Sequence, residues 1–506
     1  MSIFNIITNY LNAVAGRKQE FEELLASRDI SRIKDSMQSR GDLAVQAMTE
    51  YDTQSHAVMS RPDKIITDKK GNYRETVETW KLPIPYQKYI NEIALVFMYG
   101  RPVKWTQSSE NTDDAFEKFQ DVLERTRFNA KIRQCKRIAG KETESAMLFR
   151  VFKDDDGKPD VQIRVLAKSK GDEIYYKFDQ YENLISMAWG YYVKETEDKV
   201  IYHFDIFTPE TIYRCTQKSL GWDVIPETNF IGKIPIILFQ QDREWEGVQH
   251  LINREEYILS RNADTNDYFA DPIAVYNADV IKNLPSKDTP NKSLYANGKD
   301  GIQNAMAYVT WDTAPQSKKD ELEMLQMHIL SKSFTPNITL DTLKSISQLS
   351  AKALRTVMML ADIKASKHKE SHDELLDRTA SLIKAIIGNV LDVSLKSQVD
   401  ELTVKHVWQE PFGEDIADAL NDITSAIDAG ILSTETGIEN NPLVGDVTLE
   451  KQRLADERAE REKQQQSIFG IGGASYTDGN DDDDDSDDNK SDDENPDDKR
   501  KKSGDK

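Results

Sequence analysis

The chain has 506 residues, enough for roughly two to four domains, and its 66 Lys and Arg against 88 Asp and Glu leave a net charge of −22. This balance argues against a protein that binds nucleic acid through a broadly basic surface, although it does not exclude a local basic patch. The two cysteines, Cys135 and Cys215, exclude a disulfide framework and a cysteine-rich zinc site, and they suit a reducing compartment. No apolar run reaches the roughly 18 residues of a membrane span, and the N-terminus lacks the basic leader of a secretory signal.

The N-terminal part of the chain is predicted to be mainly helical. Four apolar residues recur at the spacing of one helical stripe: Ile3, Ile7, Leu11 and Val14. This amphipathic helix is expected to dock on its own domain, on a neighbouring subunit or on another protein. Helical patterns continue over Ser27–Met59 and Tyr86–Tyr99, and one long helix is predicted over Asp113–Gly140. Five bases in its second half are interpreted as a solvated face or, alternatively, as a phosphate-facing patch: Lys131, Arg133, Lys136, Arg137 and Lys141.

The region from Met147 to Gln241 changes to short runs rich in Val, Ile, Tyr and Phe, separated by turn signals. Because no helical pattern intervenes, a mainly antiparallel meander is expected. Its predicted strands are Ala146–Lys153, Val161–Ala167, Ile174–Asp179, Ser186–Lys194, Lys199–Phe207, Thr211–Thr216 and Ile234–Gln240.

Helical periodicity returns over Glu244–Phe269 and again over Lys318–Leu330. Between these two helices, β-like runs at Ile273–Tyr276 and Ala305–Trp311 flank a polar stretch with Pro and Gly breakers. This order predicts a long helical hairpin with a small β-bearing excursion at its tip. The remaining predicted helical segments are a very long one from Leu349 to about Lys396, then Ile416–Ala429 ending at Gly430, a short element opening at Thr434, and Leu449–Gln466.

Sequence signals for catalysis are weak. There is no P-loop pattern. His368 and His372 lie at i and i+4 of the predicted long helix, but without an HExxH pattern they are interpreted as part of an exposed polar face rather than a metal site. From Thr477 to Lys506 there is no aliphatic, aromatic or sulfur-containing residue. This tail is interpreted as disordered and solubilising or, alternatively, as a tether for a basic partner or a mimic of phosphate.

Three stretches carry a resemblance to a known family through their order and spacing. They are GKIPIILF at 232–239 followed by 251–262 and 264–271, PNIT at 336–339 followed by LSAKAL at 349–354, and AGILSTET at 429–436 with the acidic helix after it. Over roughly residues 30 to 465 the chain resembles the SPP1-like group of bacteriophage portal proteins. Where that family usually has a Ser-Gly pair, this chain has Ser350-Ala351.

The resemblance implies an α+β fold of the portal type, with a mainly antiparallel β wing, a helical stem, a small clip and a helical crown around a channel. The implied segments are an N-terminal amphipathic helix (1–29), the wing (30–245), a stem helix (246–270), the clip (271–316), a second stem helix (317–332), the tunnel loop (333–350), a long helix returning to the wing (351–369), the crown (370–466) and a disordered acidic tail (467–506).

The resemblance also implies a non-enzymatic protein without a cofactor and without a membrane. Its subunits would form a ring, usually of twelve, at one vertex of the capsid in the virion, after assembly in the host cytoplasm. Double-stranded DNA, weakly held, would enter through the ring under a separate terminase motor and later leave. The other implied partners are the major capsid and scaffolding proteins and the head-tail connector or adaptor proteins.

The charge of the first stem helix agrees with such a channel. The stretch from Asp242 to Asp271 has eight acids and three bases, and any inward-facing subset would form an acidic wall in a ring. Duplex DNA carries one charge per ~1.7 Å, so an acidic bore would let it pass where a basic bore would retain it. A solvated, outward-facing helix is the alternative. The channel-lining candidates are Glu255, Glu256, Asp264 and Asp267, with Lys344 as a sparse positive contact in the tunnel loop.

Two other classes of function remain open from the sequence. A nucleic-acid-processing or metal-dependent hydrolase would need a clustered carboxylate or histidine site, and none is found at an interpretable spacing. A capsid shell or scaffolding protein would assemble without a channel. Mass and symmetry of the purified particle would separate these classes.

Overall fold

The computed structural model describes residues 23–27, 29–67, 70–196, 199–270, 273–276, 306–309, 315–338, 351–409, 416–445 and 447–469. The chain divides into two compact units, residues 1–413 and 414–506. Helices and antiparallel sheets occupy separate stretches of the first unit, so the predicted α+β class is confirmed. Most of the predicted N-terminal helix, tunnel loop and acidic tail lies outside the described residues.

The described N-terminal part of the chain is mainly helical, and two strand pairs involve the segments between its helices. These helices include α1 (Ile30–Ser36), α2 (Gly41–Tyr51), α3 (Tyr86–Tyr99), α4 (Asp113–Arg125) and α5 (Phe128–Glu142). The hairpin β1 (Lys64–Thr67) and β2 (Tyr73–Val77) precedes α3. Strand β3 (Lys104–Gln107) pairs with the distant β14 (Val404–Val407). The sequence analysis did not predict these four strands.

The single helix predicted over Asp113–Gly140 is wrong, because the chain breaks it into α4 and α5. Arg127 adopts a left-handed backbone with φ 54°, which an α-helix of L-residues cannot continue. At the same point the Thr126 hydroxyl donates a 2.7 Å hydrogen bond back to the Val122 carbonyl. Helical periodicity persists on both sides of the break, so the apolar pattern alone did not reveal it.

The β region forms two antiparallel sheets rather than one meander. Five strands run in meander order, β6 (Glu173–Phe178), β7 (Leu184–Thr196), β8 (Lys199–Phe207), β9 (Thr211–Lys218) and β10 (Gly221–Thr228). A second sheet has the order β11–β4–β5, from β4 (Glu144–Lys153), β5 (Pro159–Leu166) and β11 (Ile236–Gln240). Strand β10 was not predicted, and its position at the edge of the sheet accommodates Pro226, which cannot donate to a neighbouring strand.

The core of the first unit joins these layers. Its largest apolar cluster includes Tyr99, Phe119, Phe128 and Phe149 from α3, α4, α5 and β4. A second cluster packs the two sheets together, and a third places α1 on the outer face of the five-stranded sheet. The long helix over Ala351–Ile386 also contributes to the first cluster through Ile383. Helices and sheets therefore share one hydrophobic interior.

The predicted helical hairpin is present. Helix α6 (Gln249–Ala270) and helix α7 (Pro315–Lys332) pack together, and strands β12 (Ile273–Tyr276) and β13 (Met306–Val309) pair between them in the chain. Arg254 binds Glu321 at 2.8 Å, and Lys318 reaches Asn262 at 3.4 Å. Arg254, which is nearer the start of α6 than Asn262, meets Glu321, which is farther along α7 than Lys318. The two helices therefore run antiparallel.

The long helix α8 (Ala351–Ile386) ends earlier than predicted. It passes into a π-helical turn over Ile387–Leu391 and ends at the extended residue Asp392, whose carboxylate accepts from the Ser394 amide. A short helix α9 (Lys396–Glu401) then leads to β14. No break in α8 marks the predicted start of the crown at 370, and that boundary stays a prediction.

The second unit is helical in its described residues. It contains α10 (Ile416–Asp428), α11 (Thr434–Glu439) and α12 (Val447–Phe469). As predicted, the first of these ends at Gly430, which has φ 70°, and the Ser433 hydroxyl caps α11 by accepting from the Thr436 amide. Among the described helices of both units, none is long and apolar enough to cross a membrane.

We predict that Gly140→Ala destabilises the first unit by about 1–3 kcal/mol, the usual cost of overpacking. An added Cβ would lie 2.9 Å from Glu244 Cγ and closer still to Asn91 Oδ1. Asn91 cannot swing away freely, because its amide donates to the Arg137 carbonyl at 3.0 Å. This cost exceeds the gain of about 1 kcal/mol that Ala normally brings to a helix interior.

The measurement is urea unfolding followed by tryptophan fluorescence. Gly41→Ala is the matched control, since its nearest neighbour, Ser39 Oγ, lies at an ordinary 3.5 Å. An unfolding midpoint of Gly140→Ala equal to or above that of the wild type would show that the helix tolerates the side chain.

Candidate functional site

The base of the α6–α7 hairpin is organised around the buried carboxylate of Glu244. After β11 the chain turns back so that the Glu244 amide donates to the Gly140 carbonyl at 3.2 Å. One carboxylate oxygen lies 2.5 Å from Lys136 Nζ of α5. The other lies 2.8 Å from Lys364 Nζ and 3.2 Å from His368 Nε2, both on α8. One side chain therefore connects α5, α8 and the segment that begins the hairpin.

The charges of this Glu244 cluster support one another. Burial alone would raise the pKa of Glu244, but Lys136, Lys364 and His368 outweigh it and hold the pKa well below its ordinary value. Burial lowers the pKa of Lys136 against the opposing pull of Glu244, and burial also lowers the pKa of His368. A buried anion with two ammonium partners and a hydrogen-bond donor satisfies the requirement that interior charges be paired.

The cluster corrects two predictions from the sequence. Lys136 was placed in a solvated face, yet its ammonium is buried between Glu244 and the Gln241 side chain. His368 and His372 were interpreted as an exposed polar face. The His372 side chain is instead buried, and its Nδ1 lies 2.8 Å from the Tyr99 hydroxyl. The part of the chain that the structure describes holds no group of three His, Cys, Asp or Glu placed to bind a metal ion.

Two of the channel-lining candidates, Glu255 and Glu256, are enclosed within the subunit. The Tyr86 hydroxyl donates to Glu255 at 2.9 Å, and burial raises the pKa of this carboxyl. Glu256 is fully buried and accepts from the Ile84 amide at 2.7 Å. Enclosed carboxylates offer little charged surface to a bore, so their position differs from the one that the sequence analysis expected.

His56 completes the surroundings of Glu256. Its Nδ1 lies 2.6 Å from the Glu256 carboxylate and its Nε2 lies 2.9 Å from the Glu50 carbonyl, with both side chains of the pair buried. Since both partners are acceptors, a doubly protonated imidazolium satisfies them together. Burial lowers the pKa of His56, but the hydrogen bond and charge of Glu256 outweigh burial and raise it overall.

The other two acidic candidates bind the base of the β1–β2 hairpin to α6. Asp264 is almost buried and accepts from Arg61 at 2.5 Å and from the Trp80 amide at 2.8 Å. Asp267 accepts from the Trp80 indole at 2.5 Å, in a more exposed position. Of the four acids, Asp267 is the solvent-exposed one. Lys344 lies outside the described residues.

These contacts join the α6–α7 hairpin to the helices around its base. Trp245, Val248 and Ile252 pack the start of α6 against α2 and α3, and the end of α7 joins them through Ile329. The Glu244 cluster adds α5 and α8 to the same base. Acidic composition indicated where charge was concentrated, but no pattern in the sequence indicated that these acids have partners 108 to 184 positions away.

Comparison with known proteins relates the chain to one family. The model of the family described as phage portal protein, SPP1 Gp6-like, matches residues 31–464. A solved structure described as the neck of a native GTA particle computed with C12 symmetry is similar over 71% of this chain and 91% of that chain, at 10% identity and a TM-score of 0.35. No curated protein matches the chain.

We predict that Glu244→Gln lowers the free energy of unfolding by about 3–5 kcal/mol. The substitution keeps the side-chain shape but leaves the buried ammonium groups of Lys136 and Lys364 without their counter-charge. Glu246→Gln is the control, because Glu246 is half-exposed and its pair with Arg243 is worth at most about 1 kcal/mol. Chemical denaturation of both variants tests this. Equal, small losses would mean that the cluster does not stabilise the fold.

We also predict that the stability contributed by His56 decreases with rising pH. A pKa raised in the folded state gives stability that is complete below the ordinary value of about 6.5 and is lost as pH rises through the folded-state pKa. The unfolding free energy of wild type minus that of His56→Gln should therefore shrink between pH 6 and pH 9. The exposed His250, on the same helix as Glu256, provides the control variant His250→Gln. A difference independent of pH would contradict the buried ion pair.

Proposed function

The chain belongs to the phage portal protein family, SPP1 Gp6-like, and from this premise we propose that it forms the ring-shaped channel at one capsid vertex through which DNA is packaged and later ejected and at which head and tail join. The observation that carries the proposal is the family match over residues 31–464. The antiparallel α6–α7 hairpin with paired strands at its tip, mounted on an α+β body, is consistent with the stem, clip and wing expected of such a subunit.

The ring contains twelve subunits, a separate terminase motor supplies the energy of packaging, and the protein itself is not an enzyme. The major capsid and scaffolding proteins surround it in the head, and connector or adaptor proteins dock at the clip. It assembles in the host cytoplasm and remains in the virion.

The net charge of −22 supports passage of DNA rather than capture. Each phosphate contact made by a base adds to a salt-dependent affinity, so a channel rich in such contacts would retain its cargo. The buried acids of α6 bind within the subunit instead, which leaves Asp267 and the tunnel-loop Lys344 as the proposed contacts with the bore. A few positive charges beside acidic surfaces would contact DNA without binding it tightly.

We predict that the purified protein forms a closed ring whose mass is an integral multiple of the 57.8 kDa subunit, with twelve the expected number. Native mass spectrometry over several salt concentrations measures this directly, and the same sample should show no ATP turnover. A monomer at micromolar concentration, or a shell without an axial opening, would reject the portal function in favour of another assembly role.

We predict that Lys344→Glu leaves ring assembly intact but impairs DNA packaging or retention, because it replaces the tunnel-loop cation with a charge that repels phosphate. The readout is the DNA content of assembled particles. Deletion from Thr477 onward serves as the control and should change neither assembly nor packaging. Normal packaging by Lys344→Glu rings would remove this residue from the bore.

A further inference from the structure

The β1–β2 hairpin exposes several apolar side chains to solvent. Ile65 is 67% exposed, Tyr73 66% and Val77 42%, and every residue of β2 is exposed. A two-stranded hairpin is at best marginally stable in water by itself, and a group of exposed apolar side chains marks a site of interaction. At the root of the hairpin, Lys64 lies 3.8 Å from the Asp264 carboxylate of α6. The exposed apolar side chains of the two strands are available to a partner.

The charge of the hairpin is opposite to that of the chain. Residues 64–77 contain four bases and two acids, a net charge of 4 − 2 = +2, within a protein of net charge −22. Lys64 and Arg74 lie on the exposed strands themselves. Val77 pairs with Lys64 whereas Ile65 pairs with Thr76, so Ile65 and Val77 lie on opposite faces of the hairpin. The hairpin is therefore apolar on both faces and basic in net charge, and the complement of either face is apolar and acidic.

Helix α7 presents such a complement along one stripe. Met324 is 53% exposed and Met327 58%, and the acids Asp320 and Glu323 are exposed beside them. Positions 320, 323, 324 and 327 share one face of an α-helix because three and four residues approximate one turn. Methionine side chains adapt readily to the shape of a partner. We call this face the α7 stripe.

Helix α6 separates the two surfaces. Its residues Ser260 and Asp264 bind the segment that follows the hairpin, through the Leu82 amide and Trp80. Its residues Arg254 and Asn262 face α7. At about 100° per residue these two sets point about 140° apart around the helix axis. The hairpin root and α7 therefore contact different faces of α6.

A closed ring requires this kind of arrangement, because head-to-tail contacts join two different, complementary patches of the same subunit. We propose that the β1–β2 hairpin of one subunit docks on the α7 stripe of the neighbouring copy of this chain. The inference rests on the proposed ring and identifies one of its subunit contacts. Apolar burial supplies the contact, and the opposite charges orient it.

Disulfide trapping tests the contact in the full-length protein. Cysteine replaces Ile65, Tyr73 or Val77 in the hairpin together with Met324 or Met327 in the stripe, giving six double variants. All five positions are exposed, so the fold should tolerate the changes, and the two native cysteines are buried. Mild oxidation joins only cysteines whose Cα atoms come within about 7 Å. The control pairs Tyr73→Cys with Val393→Cys, an equally exposed position outside the stripe.

The proposal predicts that at least one double variant gives a reducible ladder of covalent multimers extending past the dimer, since each subunit links to the next around the ring. The single variants and the control pair should give no ladder. A product that stops at the dimer would indicate a two-fold contact, and no product from any of the six pairs would assign the hairpin to another partner. Either result overturns the inference.

Negative-stain images of the wild type are recorded in parallel. Rings without a ladder refute this contact alone, whereas the absence of rings refutes the proposed function as well.

Discussion

The buried carboxylate of Glu244 is the interaction on which the arrangement of the first unit depends most. It meets Lys136 from α5 and both Lys364 and His368 from α8, at the point where the chain leaves the sheets for the α6–α7 hairpin. An unpaired charge in that position would be costly, so the three elements must come together for any of them to keep its polar residue buried. The cluster therefore specifies one relative position of the elements, where apolar packing alone would accept several.

The same logic extends along α6. Glu256 requires His56, and Asp264 requires Arg61 and Trp80, so successive turns of the helix are fixed by different partners from the N-terminal part of the chain. A helix held at several points along one face moves with the body that holds it.

The sequence predicted much of the fold because apolar periodicity is a local property. The α6–α7 hairpin with its β tip, seven of the strands and the end of α10 at Gly430 follow from spacing and turn residues. The contacts that the sequence did not predict join residues that are far apart in the chain. The β3–β14 pair joins residues about 300 positions apart, and Lys136 and His368 look like solvated polar residues until their partner Glu244 is placed beside them. The acids of α6 were found by composition, but their directions depended on partners that the sequence does not reveal.

A cryo-electron microscopy reconstruction of the purified particle tests directly whether this chain is the subunit of a closed ring with an axial channel. We expect a ring of identical subunits, with the α6–α7 helix pairs side by side around a central opening and with Glu244, Lys136 and Lys364 enclosed within each subunit. A particle without an axial opening, or a ring in which the α6–α7 helices lie apart from the channel, would contradict it.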